Sequence, residues 1–174
     1  MKRSISRTLK TSRYNFPPIL YGKSLEVTKR LNNKGVITFN YETDFQLDNE
    51  QKYEDWIAEV IESEDKTEGE INYIFCDDDY LYEINVQYLE HQTLTDIISF
   101  DYTIGNLISG DIFISVERVR ENAQDFGVSF EEELRRVMAH GVLHYCGYKD
   151  KTEADSKLMR SKEDEKIKMF HVEQ

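Results

Sequence analysis

The sequence predicts a single α+β domain, in which a mixed sheet of about four strands packs with helices. The 174 residues suffice for one domain with a core and are too few for two of ordinary size. Hydrophobic residues make up 39% and charged residues 32%, which is typical of a globular protein and excludes a disordered one. Along the chain, segments with strand patterns first alternate with segments with helix patterns, and the last segments are helical. This order indicates helices packed against one sheet.

Four short segments have the composition of strands, being rich in β-branched and aromatic residues. They are residues 36–41, 70–76, 95–100 and 111–115. We expect the last two to be neighbours in one sheet, because a connection containing Gly105 and Gly110 joins them.

Five segments have helical spacing or helix-start signals: residues 51–61, 77–88, 116–125, 129–146 and 152–167. Ser129 and Glu132 form a capping box at the start of the fourth helix, and Gly147 is placed to end it. Thr152 offers a cap for the fifth helix.

Charge divides the chain into a basic extension, residues 1–34, and a hydrolase domain, residues 35–174. The extension holds nine Lys or Arg and one acid, whereas the whole chain has a net charge of −12. A basic arm can tether nucleic acid, but a leader without a role has the same composition.

The two cysteines form no CxxC pair, and no apolar stretch is long enough to cross a bilayer. We therefore expect a cytoplasmic protein without a membrane partner.

The segment His140–Asp150 has the spacing of a metal site. His140 and His144 are four residues apart, so that on a helix they lie on one face. Gly147 permits a backbone reversal that can bring Asp150 towards the same ion. Two His and one Asp with a fourth position open is a catalytic zinc arrangement, although other divalent metals also suit these ligands. A His-x3-His pair alone is often two ordinary imidazoles. Two features favour ligation: the pair lies on an apolar, capped helix, where buried rings need partners, and a carboxylate follows directly.

A metalloprotease helix is the nearest alternative interpretation of this pair. In HExxH, the Glu after the first His is the general base, and here that position is Gly141. This counts against a hydrolase of amide or ester bonds but leaves it open. A non-enzymatic ribosome-assembly factor with a structural ion is the other alternative, and an open three-ligand site counts against it.

The segment HGVLHYCGYKD resembles the signature of the YbeY family, bacterial endoribonucleases that mature ribosomal RNA. Further blocks resemble the family in the same order: residues 85–88, 95–100, 110–119 and 153–159. The chain departs from the family pattern at three positions. Asp150 replaces the usual third His, Lys149 replaces an acid, and Leu89 replaces an Arg thought to touch RNA, so we transfer no RNA-binding Arg.

The resemblance implies zinc-dependent cleavage of single-stranded RNA in rRNA maturation, notably at the 3′ end of 16S rRNA, and a role in ribosome quality control. It implies catalysis through a metal held by His140, His144 and Asp150, with RNA and not DNA as the substrate. The RNA is expected in the ribosome or its precursor, where a ribosomal protein or a GTPase could assist.

Polar residues near the expected cleft are candidates for substrate contacts. Ser99, Lys149 and Lys151 are the substrate-binding candidates, since lysines meet phosphates well. Asp96 and Asp111 are further candidates for supporting contacts. Each of these residues could also be an ordinary strand or loop polar residue, which is the more common case for strand residues such as Ser99, Asp96 and Asp111. Cys146 is expected to pack away from the metal.

Overall fold

A computed structural model of the chain describes residues 7–10, 35–89 and 94–170, the first of these ranges for its backbone only. The described residues form five strands and five helices. The strands are β1 (Arg7–Lys10), β2 (Val36–Tyr41), β3 (Thr67–Cys76), β4 (Ile97–Asp101) and β5 (Leu107–Ser115). The helices are α1 (Glu50–Glu62), α2 (Asp78–Leu89), α3 (Val116–Phe126), α4 (Phe130–Tyr145) and α5 (Glu153–Met169).

The strands form one mixed sheet in the order β1-β4-β5-β3-β2. Strands β2, β3 and β5 run parallel to one another, β4 is antiparallel to β5, and β1 is parallel to β4. The predicted α+β class with a mixed sheet is confirmed: its four expected strands are β2 to β5. Strand β1 lies within the segment that the sequence assigns to an extension, and the division at residue 34 stays a prediction.

The sheet has apolar residues on both faces. Side chains alternate along a strand, so that neighbours such as Ile112 and Phe113 on β5 point to opposite faces. Ile112 belongs to the larger core, which contains residues of α1, α3 and α4. Phe113 belongs to a smaller core beneath α2, with Leu81 and Ile98.

The helix starts follow the predicted caps. The side chain of Ser129 accepts a hydrogen bond from the Glu132 N–H at 3.1 Å, and that of Thr152 accepts one from the Asp155 N–H at 3.1 Å. Each cap satisfies a backbone donor that would otherwise lack a partner in the first helical turn. Among the described residues, no helix combines the length and the apolar character needed to span a bilayer.

The connection between β4 and β5 is shorter than the sequence suggests, and Gly110 lies inside β5, not in a turn. An added Cβ at Gly110 would lie 2.4 Å from the Phe100 carbonyl oxygen and 2.6 Å from the Tyr145 ring. The glycine therefore reflects a close approach of a strand and a helix, which local turn chemistry cannot reveal.

Candidate metal centre

Helix α4 carries the two histidines, and the neighbouring residues Gly141 and Tyr145 contact the sheet. The Tyr145 hydroxyl lies 3.1 Å from the Phe100 carbonyl oxygen and 2.9 Å from that of Asp111. Gly141 also faces the sheet, because an added Cβ would lie 3.0 Å from Ile112 and 3.1 Å from Ile97. A side chain at position 141 would enter the core, so that the position cannot supply the base of a metalloprotease helix.

A reversal after α4 brings the third candidate ligand back to the histidines. Gly147 has φ +105°, in the region that glycine enters without a steric penalty. The Tyr148 N–H donates to the Leu143 carbonyl oxygen at 3.1 Å, which closes the turn. The chain then folds back, and Asp150 faces both rings.

The three predicted ligands converge on one point. The Nε2 atoms of His140 and His144 are 3.0 Å apart, and Oδ2 of Asp150 lies 3.8 Å and 3.7 Å from them, respectively. All three side chains are partly buried, and the group is one that could hold a metal ion. When Nε2 of His144 carries a proton, its hydrogen bond lowers the pKa of the Asp150 carboxyl, outweighing the effect of burial, which raises it. The carboxylate is thus the favoured form.

The hydrogen bonds behind each ring fix which nitrogen is free. Nδ1 of His144 lies 2.9 Å from the Tyr148 carbonyl oxygen, which can only accept. Nδ1 of His140 lies 2.7 Å from Oε1 of Glu163, an acceptor when ionised. Both Nδ1 atoms are therefore assigned as donors, so that in the neutral rings both Nε2 lone pairs face each other and the Asp150 carboxylate. Three electron-rich atoms held so close together favour a cation between them.

The donor set fits a divalent metal ion. Zinc bonds of 2.0–2.1 Å in a tetrahedral arrangement place ligand atoms about 3.4 Å apart. The separations of 3.0, 3.7 and 3.8 Å lie on either side of that value. Two imidazoles and one carboxylate suit zinc and also other first-row metals.

Glu163 contacts the rear of the His140 ring, a partner that the sequence reasoning missed. It is 3% exposed, and its Oε2 lies 3.3 Å from Nη1 of Arg136 and 3.5 Å from Nη1 of Arg160. A carboxylate that orients a metal-binding imidazole is a common feature of metal sites. A usable signal was present: Met159, Glu163 and Ile167 share the buried face of α5, and an acid on such a face needs a partner.

The substrate-binding candidates occupy different environments. Lys149 and Lys151 are exposed on either side of Asp150, whereas Ser99 is fully buried in β4. Asp96 accepts from the Asn122 amide at 3.1 Å, and the Asp111 carboxyl accepts from Asn72 and Tyr102. Only the two lysines therefore present open surface beside the candidate site, and the substrate roles of all three candidates stay predictions.

Cys146 packs against the larger core, as the sequence predicts, and burial raises the pKa of its thiol to about 12. The other two histidines, His91 and His171, lie outside the described residues.

Residues 37–171 match the family model described as Endoribonuclease YbeY. A curated Flavobacterium johnsoniae protein named Endoribonuclease YbeY is 76% identical over 139 residues, which cover 80% of this chain and 100% of that protein. A Parabacteroides distasonis protein of the same name is 47% identical over 118 residues, covering 68% of this chain and 83% of that protein. The solution structure of TM1509 from Thermotoga maritima matches with a TM-score of 0.57 and 25% identity, covering 78% of this chain and 89% of that one.

Proposed function

Because the chain belongs to the YbeY family of endoribonucleases, it is a hydrolase of RNA phosphodiester bonds, and we propose that it is a zinc-dependent enzyme of rRNA maturation. Its substrate is single-stranded RNA, notably the 3′ end of 16S rRNA, and it serves ribosome quality control. The observation that supports this most is the convergence of His140, His144 and Asp150 with both Nδ1 atoms already engaged. An open position beside three ligands suits catalysis better than a closed structural site does.

The side chains around the site have separable roles. His140, His144 and Asp150 would hold the metal, which would supply positive charge to stabilise the phosphoryl oxygens and to activate water. Glu163 and the Tyr148 carbonyl orient the two rings, so that neither has to reorganise during the reaction. Lys149 and Lys151 contact RNA phosphates on either side of Asp150.

The charge of the chain supports a role that depends on partners. With a net charge of −12, most of the surface does not attract RNA by itself. A ribosomal protein or a GTPase in the ribosome or its precursor would present the RNA, and residues 1–34 would add a basic arm to the domain of residues 35–174. Both cysteines are unpaired, which is consistent with the cytoplasm.

Metal content and RNA cleavage test this proposal together. We would purify the protein without chelator, measure bound metals by mass spectrometry and assay cleavage of single-stranded RNA. The same measurements would be made for His144→Ala, Asp150→Ala and the control Asp125→Ala, which changes an exposed acid on α3.

We expect one zinc per chain and cleavage in the wild type and the control, and loss of both in the two site variants. Wild-type protein that takes up no metal even after zinc addition would refute the site. If the protein binds zinc but cleaves neither free RNA nor the RNA of ribosomal particles, the non-enzymatic assembly factor would be favoured.

A further inference from the structure

Tyr148 contacts two different parts of the molecule with its two polar oxygens. Its carbonyl accepts from Nδ1 of His144 at 2.9 Å, and its hydroxyl donates to Oε2 of Glu64 at 2.7 Å. The tyrosine therefore connects a candidate metal ligand to a residue 84 positions earlier in the chain.

Glu64 is itself firmly held. It lies in the turn between α1 and β3, and its side chain is 8% exposed. Its Oε1 lies 3.0 Å from Nζ of Lys162 and 2.5 Å from Nζ of Lys166, both on α5. Lys166 is fully buried and also donates to the Ser63 hydroxyl at 2.8 Å. Burial raises the pKa of the Glu64 carboxyl, but hydrogen bonds from Lys166, Tyr148 and Lys162 outweigh it and lower the pKa.

We propose that Glu64 is a positioning residue for the metal centre, which acts through the Tyr148 hydroxyl to hold the Tyr148 carbonyl on His144. The inference rests on the proposed metal site and adds a residue that lies outside its signature segment. Because Tyr148 lies between Gly147 and Asp150, the same hydrogen bond also restrains the loop that carries the carboxylate.

A loop that begins with glycine needs such an anchor. Glycine has more backbone freedom than any other residue type. The described backbone hydrogen bonds of the loop are those from the Gly147 and Tyr148 N–H groups to the end of α4. Without the hydroxyl contact, the Tyr148 carbonyl would spend part of its time away from His144, whose ring could then place its proton on Nε2. A proton on Nε2 removes the lone pair that a metal needs.

Tyr148→Phe tests the anchor by removing one oxygen atom. Tyr41→Phe is a matched control, because the Tyr41 hydroxyl also donates to a carboxylate, Oε1 of Glu50 at 2.8 Å. Tyr41 ends β2, an edge strand, whereas the two histidines are on α4. The tautomer of His144 would be read from ¹⁵N NMR of the metal-free full chain at about pH 8, where imidazoles are mostly neutral. Zinc affinity would be measured separately, by competition with a chromogenic chelator.

In Tyr148→Phe we expect part of the His144 population to move its proton to Nε2 and zinc affinity to fall roughly tenfold, the lower end of the range for residues behind a ligand. Tyr41→Phe should match the wild type in both measurements. Equal tautomers and equal zinc affinities in the two variants would overturn the proposal.

Two substitutions of Glu64 separate the hydrogen bond from the ion pair. Glu64→Gln keeps an oxygen that can accept from Tyr148 and should retain the wild-type tautomer, whereas Glu64→Ala should behave like Tyr148→Phe. A wild-type tautomer in a folded Glu64→Ala variant would overturn the proposal. The tautomer is read without metal or RNA, so that a failure of the proposed nuclease function would be recognised separately.

Discussion

Nδ1 of His140 on α4 lies 2.7 Å from Oε1 of Glu163 on α5, so that two helices meet at the rear of the candidate metal site. Arg136, one helical turn before His140, contacts the other oxygen of the same carboxylate. The carboxylate is thus held on both sides, and its position fixes the plane of the imidazole. The contact between the two helices, and not α4 alone, therefore orients this histidine.

Glu163→Gln should weaken zinc binding by about tenfold or more, because a neutral amide orients the His140 ring less strongly and makes it less basic. The control is Asp125→Asn, which makes the same acid-to-amide change at an exposed position on α3. Competition with a chromogenic chelator measures the zinc affinity of both variants. An unchanged zinc affinity in a folded Glu163→Gln variant would show that the contact does not support the site.

Gly110→Ala should destabilise the fold by about 3 kcal/mol, at the upper end for overpacking, because the new Cβ meets a backbone oxygen and the Tyr145 ring. Urea denaturation measures the change. Gly105→Asn, in the connection between β4 and β5, is the control, since nothing lies within 4 Å of an added Cβ and asparagine tolerates the positive φ of this position. Similar stabilities for the two variants would contradict the close approach at Gly110.

The stability contributed by Glu64 should depend on pH. Its folded-state pKa lies below its usual value, so that the contribution is present above the ordinary pKa of glutamate, about 4.3, and is lost as the pH falls through the lower folded value. Glu64→Gln should cost about 1.5–3 kcal/mol at neutral pH, as for other hydrogen bonds to charged groups. Urea denaturation between neutral and acidic pH would show the two proteins converging, and a constant difference would contradict this sign.

Replacement of both Lys149 and Lys151 by Gln should lower the dependence of RNA binding on salt. If each lysine contacts one phosphate, the slope of log affinity against log salt for a single strand should fall by about 1.4 in total. Zinc content should not change. Lys168→Gln, at the last turn of α5, is the control, and an unchanged slope in the double variant would remove both lysines from the RNA interface.

Much of the fold followed from local patterns. Strand β2 has the predicted bounds, and α1 extends only one residue beyond them at each end, because the side chains that repeat with period two or 3.6 are the ones that the core buries. The cap at Ser129 and the reversal at Gly147 were also readable, since each depends on a few consecutive residues. Strand ends were less accurate: β5 begins at Leu107, four residues earlier than predicted.

The sequence by itself determined the α+β class, the family resemblance and the candidate ligands His140, His144 and Asp150, which lie within eleven consecutive residues whose helix and turn bring them together. The tertiary structure alone decided that Glu163 lies behind His140, that Glu64 holds Tyr148, and that Gly110 admits the ring of Tyr145. These partners are 23, 84 and 35 residues apart, and no short-range periodicity relates them. They meet because α4 packs against the sheet and α5 packs against α4 and α1, which brings together residues that are distant in sequence. Buried or partly buried polar groups such as Glu163 and Glu64 then find hydrogen-bond partners across these contacts.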